Sequence, residues 1–136
     1  RGQGISKMNI TKPIVLHNQT PAQKNEKRMA INRRTGKPFP VTSKNVKDWQ
    51  AGAHIEAVAW REKNMPEPIG EKLFATYMFF VKDARRRDLD NMIASCNDAL
   101  VKAGILHDDS WQWLGISGAD AVIDSDNPRV EIHLDI

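Results

Sequence analysis

The chain has 136 residues with a net charge of +3, and its 40% hydrophobic content is enough for one modest core but not for two independent domains. The longest apolar stretch, residues 73–81, is far shorter than the roughly 18 residues of a membrane span. A single cysteine, Cys96, excludes an internal disulfide and a cysteine-rich zinc site, so we expect a cytoplasmic protein.

The opening segment, residues 1–8, is interpreted as a cloning remnant or a disordered N-terminal segment, and residues 9–136 as one domain. Charge is uneven along the chain: residues 1–40 carry nine Lys and Arg against one Glu, and residues 105–136 carry seven Asp and Glu against one Arg. A basic arm beside an acidic cluster suits a polyanion held next to a divalent cation. Alternatively, the basic residues only solvate a loop.

The N-terminal half predicts a strand, a ribbon and a helix. Residues 10–16 are apolar and β-branched, and Pro13 favours a position at the sheet edge. Two short apolar segments on either side of Thr35-Gly36-Lys37 indicate a hairpin or ribbon, which carries most of the basic arm. Ser43 is a suitable N-cap for a helix over residues 44–62. Apolar residues recur there at helical spacing: Val46, Trp49, Ala53, Ala57 and Trp60.

The C-terminal half predicts a strand, a helix and two further strands. Residues 72–82 have the pattern of a central strand buried on both faces. A helix follows over residues 91–103, where apolar residues fall at steps of three and four and Gly104 suits a left-handed cap. Residues 111–123 indicate a strand interrupted near Gly115. Core packing is the favoured interpretation of Trp111 and Trp113, and the alternatives are stacking at the centre of a DNA junction or a place in a dimer interface. Residues 130–136 alternate as a half-buried antiparallel strand does.

The order β, ribbon, α, β, α, β, β predicts one compact α/β domain with an α+β-like mixed sheet. We expect about four strands and two main helices. No internal repeat is visible.

The segment Arg85-Arg86-Arg87-Asp88-Leu89-Asp90-Asn91 stands between the central strand and the second helix. If it is extended, residues two apart face the same side, so the carboxylates of Asp88 and Asp90 project together. Such a pair can hold a hard divalent cation beside a helix N-terminus. The alternative is that Asp90 only caps the helix and Asp88 only pairs with an arginine.

Asp108 and Asp109 are the candidates for a third carboxylate in this site. The helix carries the chain about 20 Å away from Asp90 at 1.5 Å per residue. The segment from Gly104 to Asp109 spans that distance only if the chain doubles back along the helix. Three carboxylates with open positions suit Mg²⁺ or Mn²⁺ rather than a structural zinc. The other interpretation of residues 107–110 is a polar loop.

These pieces resemble a known family. The run 85–91, followed by Asp98-Ala99-Leu100, Lys102-Ala103-Gly104 and Asp108-Asp109, is similar to the RusA-type Holliday junction resolvases, crossover-junction endodeoxyribonucleases common in phages and prophages. The resemblance is strong over residues 81–110 and covers most of the chain in outline. It implies a RusA-like endonuclease domain with a Mg²⁺ site, for which Mn²⁺ is a possible substitute. The implied metal ligands and catalytic residues are Asp88, Asp90 and Asp109, with Asp108 as a neighbour and possible ligand.

The resemblance also implies a homodimer that cuts four-way junctions on two opposed strands during DNA recombination and repair. Neither a membrane nor a nucleotide cofactor is expected, and the setting is the cytoplasm of a bacterial or phage-infected cell. Two copies suit the near two-fold symmetry of a junction. We expect phosphate contacts from basic residues near the site and on the ribbon: Arg85, Arg86, Arg87, Lys24, Lys27, Arg28, Arg33, Arg34, Lys37 and Lys102.

One position departs from the family pattern. Members often carry a functional lysine four residues after the second aspartate, and here that position is Ala94. Lys82, Arg87 and Lys102 are candidate replacements, because another cation can partly supply the same electrostatic stabilisation. The alternative function is therefore a catalytically silent branched-DNA-binding protein of the same fold.

Overall fold

The computed structural model describes residues 9–22 and 27–136. The predictions for residues 1–8 and for Lys24 lie outside this part of the chain. Within it the elements are β1 Ile14–His17, β2 Lys27–Ile31, β3 Pro38–Thr42, α1 Lys44–Asn64, β4 Leu73–Val81, α2 Leu89–Lys102, β5 Leu114–Ile123 and β6 Arg129–Asp135.

Four of the strands form one mixed sheet in the order β1-β6-β4-β5, while β2 and β3 pair as a separate antiparallel hairpin. β4 runs parallel to β5 and antiparallel to β6, and β6 is antiparallel to β1. β4 and β5 are connected by α2, which provides the long crossover that two parallel neighbouring strands need. The predicted fold class, a mixed α/β domain with two helices, is confirmed.

Both helices follow their predicted apolar faces. α1 begins after Ser43, whose hydroxyl accepts a hydrogen bond from the Val46 backbone N–H at 3.3 Å. α2 buries Met92, Cys96 and Leu100 and ends before Gly104, whose φ of 79° is the left-handed conformation that glycine adopts without strain. Among the described residues, neither helix combines the length and apolarity needed to cross a membrane.

The strands differ from their predictions in three respects. β1 begins at Ile14 rather than at residue 10, because residues 10–12 form a turn closed by the Lys12 backbone N–H on Asn9 O at 3.3 Å. β4 is central but buried on one face only: Tyr77 and Phe79 are buried, whereas Phe74 on the opposite face is 39% exposed. Trp111 is 75% exposed and precedes β5, so its predicted core position is wrong.

Candidate active site

A short loop, residues 82–88, connects the C-terminal end of β4 to α2 and is held together by Arg87. The Arg87 guanidinium forms an ion pair with Asp83 Oδ1 at 2.9 Å and donates to the carbonyl oxygens of Asp83 and Arg85 at 3.3 and 3.1 Å. Its side chain is 11% exposed. Arg87 therefore fixes the path of the chain into the helix.

Asp83 is the acidic partner in this loop. Its Oδ1 accepts a hydrogen bond from the Arg85 backbone N–H at 3.0 Å. This hydrogen bond, together with the neighbouring Arg87 guanidinium, lowers the pKa of Asp83 below its usual value. The shift favours the charged form of the Asp83 carboxylate beside Arg87.

Asp88 and Asp90 both lie at the N-terminal end of α2. Asp88 is the extended N-cap residue and Asp90 lies in the first turn. The extended conformation considered for residues 88–90 holds for Asp88 alone, because the Met92 backbone N–H bonds to Asp88 O at 3.2 Å and the helix begins at Leu89. The two carboxylates therefore share a helix end, where the partial positive charge of the helix favours anions.

The alternative roles, a helix cap at Asp90 and an arginine pair at Asp88, both fall on Asp88 in the structure and engage its carboxylate only weakly. As N-cap it forms no side-chain capping hydrogen bond. Its contacts are long, with Arg86 Nη2 at 3.5 Å from Oδ1 and Asn91 Nδ2 at 3.4 Å from Oδ2, and the Arg86 side chain is 92% exposed. The Asp90 carboxylate is exposed and accepts a hydrogen bond from the Asn91 backbone N–H at 2.9 Å. The oxygens of both aspartates thus suit a hard cation.

Asp108 and Asp109 are exposed and lie at the other end of α2, between that helix and β5. The backbone N–H groups of Ile105 and Leu106 bond to Leu100 O, and the Trp113 carbonyl accepts from the Leu73 backbone N–H at 3.0 Å. Both anchors of the Asp109 loop are therefore at the C-terminal end of the helix, and the predicted doubling back toward Asp90 does not occur. The 14 residues of α2 span about 21 Å.

One copy of the chain thus brings Asp88 and Asp90 together but not Asp109. Across residues 9–22 and 27–136, no group of three or more His, Cys, Asp or Glu side chains is arranged to hold a metal ion. The identity of the metal ligands stays a prediction.

The basic residues fall into three groups. Arg33, Arg34 and Lys37 are exposed at the tip of the β2–β3 hairpin, and Lys27 and Arg28 belong to β2. Arg85 and Arg86 are exposed in the loop before α2.

Lys102 is exposed in the last turn of α2, at the end that also carries Asp109. Ala94 is exposed one turn along α2 from Asp90.

A pocket of about 330 Å³ lies beside the end of β4, and the sequence did not indicate it. The Gln19 side-chain oxygen accepts from the Lys82 backbone N–H at 2.8 Å and joins two of its walls. The lining comes from three separate segments: Asn18, Gln19, Pro21, Asn45, Asp48, Trp49 and Lys82. Only the tertiary fold brings these segments together.

A comparison with family models gives one match. The model described as endodeoxyribonuclease RusA matches residues 18–135, which is most of the chain and includes the loop before α2 and both ends of that helix. No curated protein matches the chain closely enough to be counted as a relative.

Proposed function

Because the chain belongs to the RusA endodeoxyribonuclease family, we propose that it is a Mg²⁺-dependent endonuclease that resolves four-way DNA junctions by paired, symmetric nicks. The observation that carries the proposal is the family match over residues 18–135, which includes Asp88, Asp90 and Asp109. The corresponding biological role is DNA recombination and repair in a phage-infected or prophage-bearing bacterial cell.

The N-terminal end of α2 supplies the first two carboxylates of the site. Asp88 and Asp90 are the residues that would hold Mg²⁺, with Mn²⁺ as a possible substitute. Such an ion lowers the pKa of a bound water and stabilises the charge that develops on a phosphodiester. The part played by the protein is to fix the carboxylates, through the loop that Arg87 closes onto Asp83. Arg87 is thus a positioning residue.

The third carboxylate comes from a second copy of the chain. Asp109 lies at the far end of α2 and its loop is anchored there, so it cannot join the Asp88 and Asp90 of its own chain. A homodimer supplies Asp109 of the partner subunit instead, and its symmetry creates two equivalent sites for two opposed strands. Lys102 shares the Asp109 end of the helix, so it accompanies Asp109 as a cation in place of the lysine missing at Ala94.

DNA contacts come from the exposed basic residues. The hairpin tip carries Arg33, Arg34 and Lys37, and Arg86 is exposed beside Asp88. These cations neutralise phosphates of the junction arms, a contribution that is independent of sequence and sensitive to salt.

The exposed alanine at position 94 favours one other function, a branched-DNA-binding protein that does not cut. The two functions differ in their dependence on metal. A nuclease forms product only with the divalent cation, whereas a silent binding protein holds junctions equally well in chelator and leaves them intact.

The test is incubation of the protein with a synthetic four-way junction in Mg²⁺ and in chelator, followed by a denaturing gel. We expect paired nicks in Mg²⁺ alone, and a loss of about 100-fold or more for Asp90→Asn, the order found when a charge-stabilising group is removed from an active site. The exposed Glu62→Gln on α1 is the matched control and should cut as the wild type does. Tight binding without nicks in Mg²⁺ would support the silent binding protein.

A further inference from the structure

The pocket beside the end of β4 is lined by three segments that lie apart in sequence: the residues after β1, the first turns of α1, and Lys82. Its volume of about 330 Å³ is at the small end of the range for ligand sites and suits a ligand of one or two fused rings. Asn18 has a φ of 75°, a left-handed conformation that asparagine tolerates, and the next residue, Gln19, accepts from the Lys82 backbone N–H. The tertiary fold therefore ties the walls of the pocket to each other.

Two buried polar atoms at this pocket lack a hydrogen-bond partner within the described part of the chain. Trp49 lines the pocket and is 5% exposed, and its Nε1–H has no acceptor. Thr20 is 2% exposed and stands between the lining residues Gln19 and Pro21, and its hydroxyl is also unpartnered. Native proteins pair most of their buried polar groups, so each exception needs a specific explanation. The two atoms indicate a ligand that carries hydrogen-bonding groups.

The chemistry of the lining favours a nucleobase over a phosphate. Asp48 pairs through Oδ2 with the exposed Lys44 at 2.8 Å, which leaves Oδ1 to accept a hydrogen bond, and its negative charge disfavours an anion. The side-chain amides of Asn18 and Asn45 can both donate and accept, as the edge of a base requires. Trp49 adds an aromatic wall. Hydrogen-bonding groups for the edge of a base and an aromatic wall for its face are the features of a pocket for an unstacked base.

The pocket adjoins the helix that carries Asp88 and Asp90. The Ser95 hydroxyl on α2 donates to Pro21 O at 2.7 Å, so this wall of the pocket is fixed to the helix. Ser95 is five residues from Asp90, about 7.5 Å along the helix, which is comparable with two nucleotide steps of about 3.4 Å each. Lys82 lines the pocket and begins the loop that leads to Asp88, and its side chain is exposed for contact with a phosphate. A DNA strand that passes the two aspartates is therefore within reach of the pocket.

We propose that this pocket binds one unpaired base of the DNA substrate, one or two nucleotides from the phosphodiester that is cut. The inference rests on the proposed function, because it needs a DNA strand at Asp88 and Asp90. Removing a base from the stack costs free energy, and the cost is least where pairing is already interrupted. The pocket therefore helps the chain to select branched DNA over uniform duplex.

The test is a set of immobile four-way junctions that each lack one base, as an abasic site within three nucleotides of the crossover. Affinity is measured in chelator by fluorescence anisotropy, so that no cutting occurs. We expect one or two positions at which the missing base weakens binding by the wild type about tenfold, the order found for the loss of one stacked base. Abasic sites elsewhere in the set should have little effect.

A variant that fills the pocket shows whether these positions act through it. Asn45 is an exposed lining residue, so Asn45→Trp is compatible with the folded chain. This variant should bind the intact junction about tenfold more weakly and lose nothing further at the sensitive positions. The matched control is Ala51→Trp, at an exposed position of α1 outside the lining, and it should behave as the wild type does.

Two results would overturn the proposal: a wild type without any sensitive position, or an Asn45→Trp variant that loses as much at those positions as the wild type. Cutting of the intact junction in Mg²⁺ is measured on the same proteins. A wild type that cuts but has no sensitive position would refute the base pocket and leave the proposed function standing. A wild type that does not bind the junction would contradict both.

Discussion

Arg86 and Arg87 are adjacent and chemically identical, yet the fold gives them different roles. Arg87 is 11% exposed and bonds to Asp83 and to two carbonyl oxygens of its own loop. Arg86 is 92% exposed, with one long contact to Asp88. The planar guanidinium of Arg87 reaches several acceptors at once, which a lysine cannot reproduce. Arg87 therefore holds the loop before α2 in place, whereas the exposed Arg86 is free to contact DNA.

We predict that Arg87→Lys lowers the melting temperature by about 4 °C at neutral pH, because the lysine weakens the contact with the Asp83 carboxylate and loses the hydrogen bonds to the two loop carbonyls. The exposed Arg86→Lys should leave it within about 1 °C. The pKa of Asp83 is lowered by folding, so its ion pair stabilises the protein above the unfolded pKa of about 3.9 and is lost as the pH falls through the lower folded value. The difference between wild type and Arg87→Lys should therefore shrink below about pH 4. Thermal unfolding followed by circular dichroism measures the melting temperatures. Equal melting temperatures for Arg87→Lys and Arg86→Lys would contradict the role of Arg87 in holding the loop.

The position of α2 against the sheet depends on buried polar residues as well as on its apolar face. The Tyr77 hydroxyl on β4 donates to Asn97 Oδ1, and the Ser95 hydroxyl donates to Pro21 O at 2.7 Å. Burial raises the pKa of Tyr77 above its usual value, so it stays a neutral donor. These bonds fix the helix that carries Asp88 and Asp90.

Tyr77→Phe should lower the free energy of unfolding by about 1–3 kcal/mol, because the buried Asn97 amide then lacks its partner. Tyr77→Phe combined with Asn97→Leu removes both polar groups and should recover part of this loss. Urea denaturation of the two variants and the wild type gives the comparison. If the single variant is as stable as the wild type, the hydrogen bond does not hold the helix.

Helices and strands with strong periodicity could be predicted from the sequence, whereas boundaries set by neighbouring elements could not. The apolar positions of α1 and the Gly104 cap of α2 were local signals and are confirmed. The start of α2 was predicted two residues late, because Asp88-Leu89-Asp90 alternates as a strand does. Trp111 is 75% exposed in the turn before β5, and the hydrophobicity of a single residue does not predict such a position.

In the candidate site too, local features could be predicted from the sequence, whereas features that depend on the whole fold could not. The Asp88–Asp90 pair was recognisable because its members are two residues apart. The place of Asp109 depends on the parallel β4–α2–β5 crossover, which separates it from that pair by the length of the helix. The hairpin pairs separately from the four-stranded sheet and carries the exposed cations Arg33, Arg34 and Lys37 at its tip.

Arg33→Ala should weaken junction binding uniformly across sequences, because its expected contact is with a phosphate. The slope of log affinity against log salt should fall in magnitude by about 0.9, the value for one lost contact. Lys63→Ala, an exposed cation in the last turn of α1, is the control and should leave the slope unchanged. Fluorescence anisotropy with a labelled junction measures both. An unchanged slope for Arg33→Ala would exclude the hairpin tip from the DNA contact.

The most direct test of the central claim, a junction-cutting site built from two copies of the chain, is a mixing experiment with Asp88→Asn and Asp109→Asn. Each variant alone should dimerise, bind the junction and leave it intact. A mixed dimer has one site with all its aspartates and one site with both substitutions. The account predicts that mixing restores Mg²⁺-dependent cutting as a single nick per junction rather than a symmetric pair. A mixture that binds the junction and stays inactive would contradict the account, since sites within single chains cannot complement each other.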